Sequence, residues 1–319
     1  MSQLVIASQL DEDFNDVIRQ RLAHTHPGAE VLDVPIGVPS DLPAEVSILL
    51  ARPINVRGYL APDTPPPGWP YGLKWIQVVS SGIDFYPTWL FDGPPVSTSR
   101  GSAAENIAEF ALAAIFAAAK HLPDIWVHDS HWNFTALTPL KGTTLGILGF
   151  GAIGRSLAAK AHALGMHVVA LRQSQAPFEV EGVEAARDIH ELFTLSDHLV
   201  LAAPLTAATR HIVNSAVLAS AKPGLHLINI ARGGLLDHGA LLEALDSGAI
   251  GLASLDVTEP EPLPDGHPLY AHPRVRLSPH TSAISSNSRH EIADSFLANL
   301  ERFLNGLAPE NLANVQRGY

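Results

Sequence analysis

Gly149, Gly151 and Gly154 stand in the order Gly149-Phe150-Gly151-Ala152-Ile153-Gly154, a G-x-G-x-x-G spacing. Such a run suits a pyrophosphate. The first glycine permits a tight turn and the second lets backbone approach the anion. The third lets a following helix pack on the preceding strand, and amides at that helix start, at Ala152 and Ile153, point at the phosphate. Glycines gather in many turns, so context decides. Here the apolar run Thr143–Leu148 leads in and a helical pattern from Arg155 to Leu164 leads out, which is the strand–turn–helix setting the motif requires. A dinucleotide site is predicted. The next strand, His167–Leu171, ends in Arg172-Gln173-Ser174. An acid about 20 positions after the glycines would accept from the ribose 2′-hydroxyl, whereas a cation there suits a 2′-phosphate. Arg172, with Ser174 as a second donor, therefore favours NADP(H), with NAD(H) possible.

The elements that must carry this turn are readable from hydrophobic runs. Leu4–Ala7, Val31–Val34, Val46–Leu50 and Trp75–Val79 read as buried strands, with Asp11–His24 as an amphipathic helix between the first two. Pro65-Pro66-Pro67 breaks regular structure and marks a loop. Glu105–Lys120 is a dense Ala/Leu/Ile/Phe helix, open to reading as an internal spine or as a subunit interface. Thr143–Leu148, Val168–Leu171, His198–Ala202, Leu225–Ile230 and Gly251–Asp256 are five further strands with helices between them, and Ser288–Asn305 is a final helix. Alternating strands and helices predict an α/β fold with parallel sheets.

The composition narrows the classes. The 319 residues are 46% hydrophobic and 16% charged, which suits one large or two ordinary globular domains. A net charge of −12 argues against a nucleic-acid footprint and demands particular arginines if the substrate is an anion. Without cysteine there is no disulfide or thiol nucleophile, compatible with a cytoplasmic protein. The start lacks a secretory signal, and Phe110–Ala119 is too short to span a bilayer, so a soluble chain without membrane association is expected. No cluster has metal-ligand spacing.

The chain resembles the D-isomer-specific 2-hydroxyacid dehydrogenases over nearly its whole length. The motifs that carry the resemblance come in order: Ser81-Gly82-Ile83-Asp84, the glycine turn, Ala203-Pro204-Leu205-Thr206 with Thr209, Asn229-Ile230-Ala231-Arg232-Gly233, Asp256-Val257-Thr258-Glu259-Pro260-Glu261-Pro262-Leu263, and Ser278-Pro279-His280. The resemblance implies a flavodoxin-like substrate-binding domain (1–98 and 285–319) into which a Rossmann NAD(P)-binding domain (99–284) is inserted. It implies an active cleft between them that closes by a hinge, and a homodimer formed through the nucleotide-binding domains. It also implies that Arg232, Glu261 and His280 are catalytic and that Asp256 meets the nicotinamide carboxamide. Ala203, Pro204, Thr209, Ile230, Ala231 and Ser282 are expected along the cofactor, and Ser81, Gly82 and Ile83 on the substrate carboxylate.

The chemistry asks for those types. Reducing a 2-oxo acid needs a proton on the carbonyl oxygen, and histidine titrates near working pH. A carboxylate such as Glu261 orients an imidazole and favours its charged form. Arg232 offers a fork of donors for a carboxylate or a ketone. The chain departs from the family at Asp237-His238, where an acid pair is common, and at Thr281-Ser282-Ala283, where glycine is common. Trp132 resembles an aromatic that closes the pocket of glyoxylate and hydroxypyruvate reductases, with a packing role equally open, and Arg52 reads better as a surface residue than as a pocket cation. Reduction of glyoxylate or hydroxypyruvate is favoured. A phosphoglycerate dehydrogenase-like enzyme, a reductase of bulkier 2-oxo acids and a dinucleotide-sensing corepressor are the alternatives; a C-terminal regulatory domain is not expected.

Overall fold

The computed structural model describes residues 4–55, 59–174 and 176–318. The chain divides into two compact units, residues 1–102 with 286–319, and residues 103–285.

In the first unit, β1 (Val5–Ser8), α1 (Glu12–Thr25), β2 (Glu30–Asp33), β3 (Ile48–Ala51), β4 (Trp75–Val78) and β5 (Val96–Thr98) follow in turn. The strands pair in parallel in the order β2-β1-β3-β4-β5. β3 begins at Ile48 rather than Val46, because the Val46 amide closes a turn on the Pro43 carbonyl. Successive side chains of a strand face opposite ways. Ile48 and Leu50 accordingly join Phe14, Ile18 and Leu22 of α1, while Leu49 and Ala51 join Tyr86, Trp89 and Leu90 on the other face. Asp11 starts α1 by accepting a hydrogen bond from the Phe14 amide.

The second unit runs α2 (Ala104–Ala119), β6 (Thr144–Leu148), α3 (Ala152–Ala163), β7 (His167–Leu171), β8 (Val183–Ala185), α4 (Ile189–Leu195), β9 (His198–Leu201), α5 (Ser215–Leu218), β10 (Leu225–Asn229), α6 (His238–Ser247), β11 (Ile250–Leu255), α7 (Pro268–Ala271) and β12 (Val275–Leu277). Its seven strands are all parallel, in the order β12-β11-β10-β9-β6-β7-β8. The internal reading of the Ala-rich helix describes one of its faces: Ile107, Ala108, Ala111, Leu112 and Ile115 of α2 pack with Leu157, Ala158 and Ala161 of α3 on one side of the sheet. Leu192, Phe193, Val217, Leu241 and Leu245 cover the other side.

The strand order reverses about β6, whose neighbours are β9 and β7. At such a point the connections leave to opposite faces and a crevice opens at the carboxyl ends of the strands. The glycine turn follows β6, Arg172 follows β7, Ala203 lies just beyond β9, and Arg232, Asp256 and His280 follow β10, β11 and β12.

The chain then returns to the first unit as α8 (Ser288–Leu304). Phe296 stacks on Trp75 with centroids 5.5 Å apart, and Asn299 Nδ2 donates 3.1 Å to the buried Gln77 Oε1. Gln77 also accepts from Ser97, so a buried amide ties the last helix to β4 and β5. Three strands had no sequence signal: β5, β8 and β12, of three residues each. No helix among the described residues is long and apolar enough to cross a membrane.

Candidate active site

The glycine turn shows why each glycine is needed. Gly149 has φ +97°, and a Cβ there would stand 2.5 Å from the Ala203 amide nitrogen, so the turn lies directly on the loop after β9. A Cβ on Gly154 would meet the Gly149 carbonyl oxygen at 2.7 Å, which is the close helix–strand packing anticipated for it. Gly151 differs: nothing lies within 4 Å of its would-be Cβ. It is the N-cap of α3, without a side-chain capping bond, so the helix start opens onto free space. An open backbone cradle at a helix start fits a pyrophosphate. In the loop after β9, Thr209 Oγ1 donates to the Pro204 carbonyl and accepts from the Thr206 amide, folding residues 204–209 around one hydroxyl.

Arg172 sits beside the turn but is already engaged. Its guanidinium donates to the Ala176 and Pro177 carbonyls, reaches Glu179 at 3.5 Å, and lies over the rings of Phe178 and Phe150. Ser174 is exposed.

At the end of β10, the fully buried Asn229 builds the next piece. Its Oδ1 accepts from the Ala231 amide and its Nδ2 donates to the Arg232 carbonyl. Ile230 is buried, and Arg232 Nη1 reaches back 2.7 Å to the Ala231 carbonyl. Gly233 is required because a Cβ there would lie 2.0 Å from the Thr258 carbonyl carbon. That contact lays the arginine segment directly on the Thr258–Glu261 segment. The Thr258 amide holds one oxygen of Glu261 at 3.0 Å, and the other stands 2.9 Å from His280 Nδ1. Burial by itself would raise the Glu261 carboxyl. The bonds from His280 and Thr258, with the charges of His280 and Arg232, outweigh it and hold the group below the usual range. The two side chains stay 32% and 36% exposed, so a small molecule can reach them.

His280 adopts φ +51°, a left-handed conformation that a non-glycine residue takes only when its surroundings impose it. Asp256 imposes it. Its carbonyl accepts from the His280 amide at 2.9 Å. Its carboxylate, in a residue only 1% exposed, accepts from Ser278 Oγ (2.6 Å) and from the amides of Thr281 and Ser282 (2.9 Å each). Burial opposes the charge, but these donors hold the carboxyl below its ordinary range. Ser282 is itself 3% exposed, with its carbonyl bonded to Asn106. Asp256 and Ser282 thus form the frame of the histidine turn, a role that their motif positions did not disclose. Asn229 and Ser278 belong to the same framework, and only their places inside the arginine and histidine motifs hinted at it.

Arg232, Glu261 and His280 are therefore brought together on adjacent loops of one sheet. Asp237 caps α6 by accepting from the Ala240 amide, and His238 is that helix's first residue. Trp132 is 67% exposed in a segment without regular structure. In the first unit, Ser80 Oγ donates to the Gly82 carbonyl, leaving Ser81 exposed and Ile83 buried, and Arg52 stands 3.9 Å from Asp11. Among the described residues no group of His, Asp and Glu is arranged to hold a metal ion.

An open glycine cradle and a histidine–carboxylate–arginine group on one parallel sheet suit a dinucleotide-dependent enzyme, and known proteins agree. Residues 112–282 match the family model of the D-isomer specific 2-hydroxyacid dehydrogenase, NAD binding domain. The chain is 36% identical over 231 residues to glyoxylate reductase of Aeropyrum pernix, covering 69% of each. To glycerate dehydrogenase of Methylorubrum extorquens it is 33% identical over 257 residues, 76% of this chain and 79% of that one. Among solved structures, a D-isomer specific 2-hydroxyacid dehydrogenase from Xanthobacter autotrophicus Py2, in complex with NADPH and MES, aligns over 100% of both chains at 28% identity with a TM-score of 0.79. The chain belongs to the D-isomer specific 2-hydroxyacid dehydrogenases, oxidoreductases that work with a nicotinamide dinucleotide.

Proposed function

We propose that this enzyme reduces a small 2-oxo acid, glyoxylate or hydroxypyruvate, to the D-2-hydroxy acid, and prefers NADPH. The observation that carries the reading is the 2.9 Å pair of His280 and Glu261 beside Arg232. A bound nicotinamide dinucleotide supplies the hydride for the carbonyl carbon. With Nδ1 committed to Glu261, His280 delivers the balancing proton from Nε2 to the carbonyl oxygen. Glu261 fixes the ring by holding Nδ1. Arg232 holds the substrate carboxylate or polarises the ketone, and the amides of Ser81, Gly82 and Ile83 serve the carboxylate as well.

For the cofactor, the cradle of Gly149, Gly151, Ala152, Ile153 and Gly154 takes the pyrophosphate. Ala203, Pro204, Thr209, Ile230 and Ala231 line its path, with Asp256 and Ser282 at the nicotinamide end. Arg172 and Ser174 take the 2′-phosphate, supported by the cation at the end of β7. Residues 103–285 are then the nucleotide-binding domain and the remainder the substrate-binding domain. Preference for a small acid draws support from the glyoxylate reductase relative. The exposed aromatics Trp126, Trp132 and Phe134 (64%, 67% and 96%) suit burial against a second copy, supporting a homodimer.

The test is loss of nicotinamide absorbance, NADPH against NADH, over glyoxylate, hydroxypyruvate, pyruvate and phenylpyruvate. Fastest NADPH oxidation with either of the first two acids is expected. A preference for phenylpyruvate would discard the substrate but keep the class. Full activity in His280→Ala would discard the proton donor. Sedimentation at micromolar concentration checks the dimer, and a monomer would overturn it.

A further inference from the structure

Arg172 does not stand open at the end of β7. Only 12% of its side chain is exposed, and its guanidinium is wedged 4.9 Å from the Phe178 ring and 6.0 Å from the Phe150 ring. Two donors go to the carbonyls of Ala176 and Pro177. Nε is buried without a partner among the described residues. The side that faces outward carries Glu179, 53% exposed, with both carboxylate oxygens 3.5 Å from Nη1. That carboxyl is held below its usual range by its own backbone amide first, then by the charges of Arg172 and of Arg155 in the first turn of α3. A carboxylate thus stands where two cations converge, on the flank of the phosphate-binding turn.

We propose that Glu179 is a cofactor-specificity residue: an internal carboxylate on the guanidinium that a 2′-phosphate needs, which moderates the preference for NADPH over NADH. The inference rests on the reading that Arg172 receives the 2′-phosphate. The physical argument is one of competing anions. Nη2 of Arg172 is committed to two carbonyls and Nε is buried, so an incoming phosphate must take Nη1 from Glu179 and settle close to a negative charge. A ribose that carries only a 2′-hydroxyl brings no charge to that place and pays no such penalty. At separations of a few ångströms near a surface, removing one such charge is worth about a fivefold change in affinity for a phosphate of charge near −2.

The experiment is fluorescence titration of the full chain with NADPH, NADH and 2′,5′-ADP, in wild type, Glu179→Gln and Arg172→Leu. Glu179→Gln keeps the shape and removes the charge of an exposed side chain, so folding is not at stake. It should tighten NADPH and 2′,5′-ADP about fivefold and leave NADH within twofold. Arg172→Leu should weaken NADPH and 2′,5′-ADP selectively. If Arg172→Leu acts selectively and Glu179→Gln leaves the NADPH:NADH ratio unchanged, the 2′-phosphate reading stands and the role of Glu179 is overturned. Weaker NADH in Glu179→Gln, with NADPH unaffected, would make Glu179 an acceptor for the ribose hydroxyl and also overturn it. Absence of any selective effect in Arg172→Leu removes both readings together.

Discussion

Gly233→Ala is the most informative single perturbation of the catalytic group, because it touches none of the three side chains. The new Cβ would stand 2.0 Å from the Thr258 carbonyl carbon, 2.1 Å from its oxygen and 2.5 Å from the Glu259 nitrogen, whereas ordinary contact begins at 3.4 Å. All three atoms are backbone, so no rotamer change relieves the clash. The Thr258 peptide must retreat by about 1.4 Å or the arginine turn must move away by as much. The Thr258 amide is what fixes Glu261, and Glu261 is what fixes His280. A displacement of about 1 Å in a reacting group costs about 100-fold in rate, or about 2.7 kcal/mol of barrier. Overpacking costs a further 1–3 kcal/mol or so of stability. The assay pairs steady-state kcat/KM on the preferred oxo acid with dinucleotide titration and a thermal melt. Expected are a loss of about 100-fold in kcat/KM, a lowered Tm, and dinucleotide affinity within a few-fold of wild type, since the glycine turn lies on another loop. A variant that melts early yet keeps kcat/KM within threefold would refute the coupling from Gly233 to His280.

Gly151→Ala is the counterpart: with nothing within 4 Å and φ −92°, it should leave Tm unchanged, yet weaken dinucleotide binding about tenfold by filling the open side of the cradle, as titration would show. Asp256→Ala leaves Ser278 Oγ and two turn amides without their acceptor in a buried place, so urea unfolding should report a loss of about 3 kcal/mol and turnover should fall with it; an unchanged midpoint would remove the frame role. His226 is buried between His198 and Ser254, and burial, followed by the neighbouring His198, pushes its pKa from the ordinary 6.5 down to about 3. Below pH 6.5 the unfolded chain takes up a proton that the fold refuses, so stability is lost as pH falls through that value towards 3. At pH 5 this side chain alone accounts for about 2 kcal/mol, and in His226→Leu the drop in urea stability between pH 7.5 and 5 should shrink by about that much.

The glycine turn was legible because its function is written in backbone spacing and its flanking strand and helix are long enough to show their periods. β6, β7, β9, β10 and β11 were legible for the same reason, being runs of buried apolar residues. β5, β8 and β12 were not: a three-residue edge strand is defined by its partner, and Val183–Ala185 has no burial pattern of its own. Arg232, Glu261 and His280 could be named through the resemblance, yet each alone is an ordinary polar residue, and only the fold sets His280 against Glu261. Two things depended on chain returns that no local pattern encodes. One is the frame made by Asp256, whose donors come from a turn more than twenty residues onward. The other is the engagement of Arg172 by the segment that follows it, which reads in sequence as a free cation.

The reversal of strand order about β6 sorts the molecule's tasks by side. Arg172 and Glu179 belong to the flank of β7 and β8, while Arg232, Glu261 and His280 belong to the flank of β10, β11 and β12. In the sheet, β9 and β6 stand between the two flanks. Sites so separated contribute independently to free energy. A lineage built on this sheet can therefore exchange one reductant for another without disturbing its proton donor, and can alter its substrate while keeping its reductant. Combined variants, one from each flank, should multiply their separate effects.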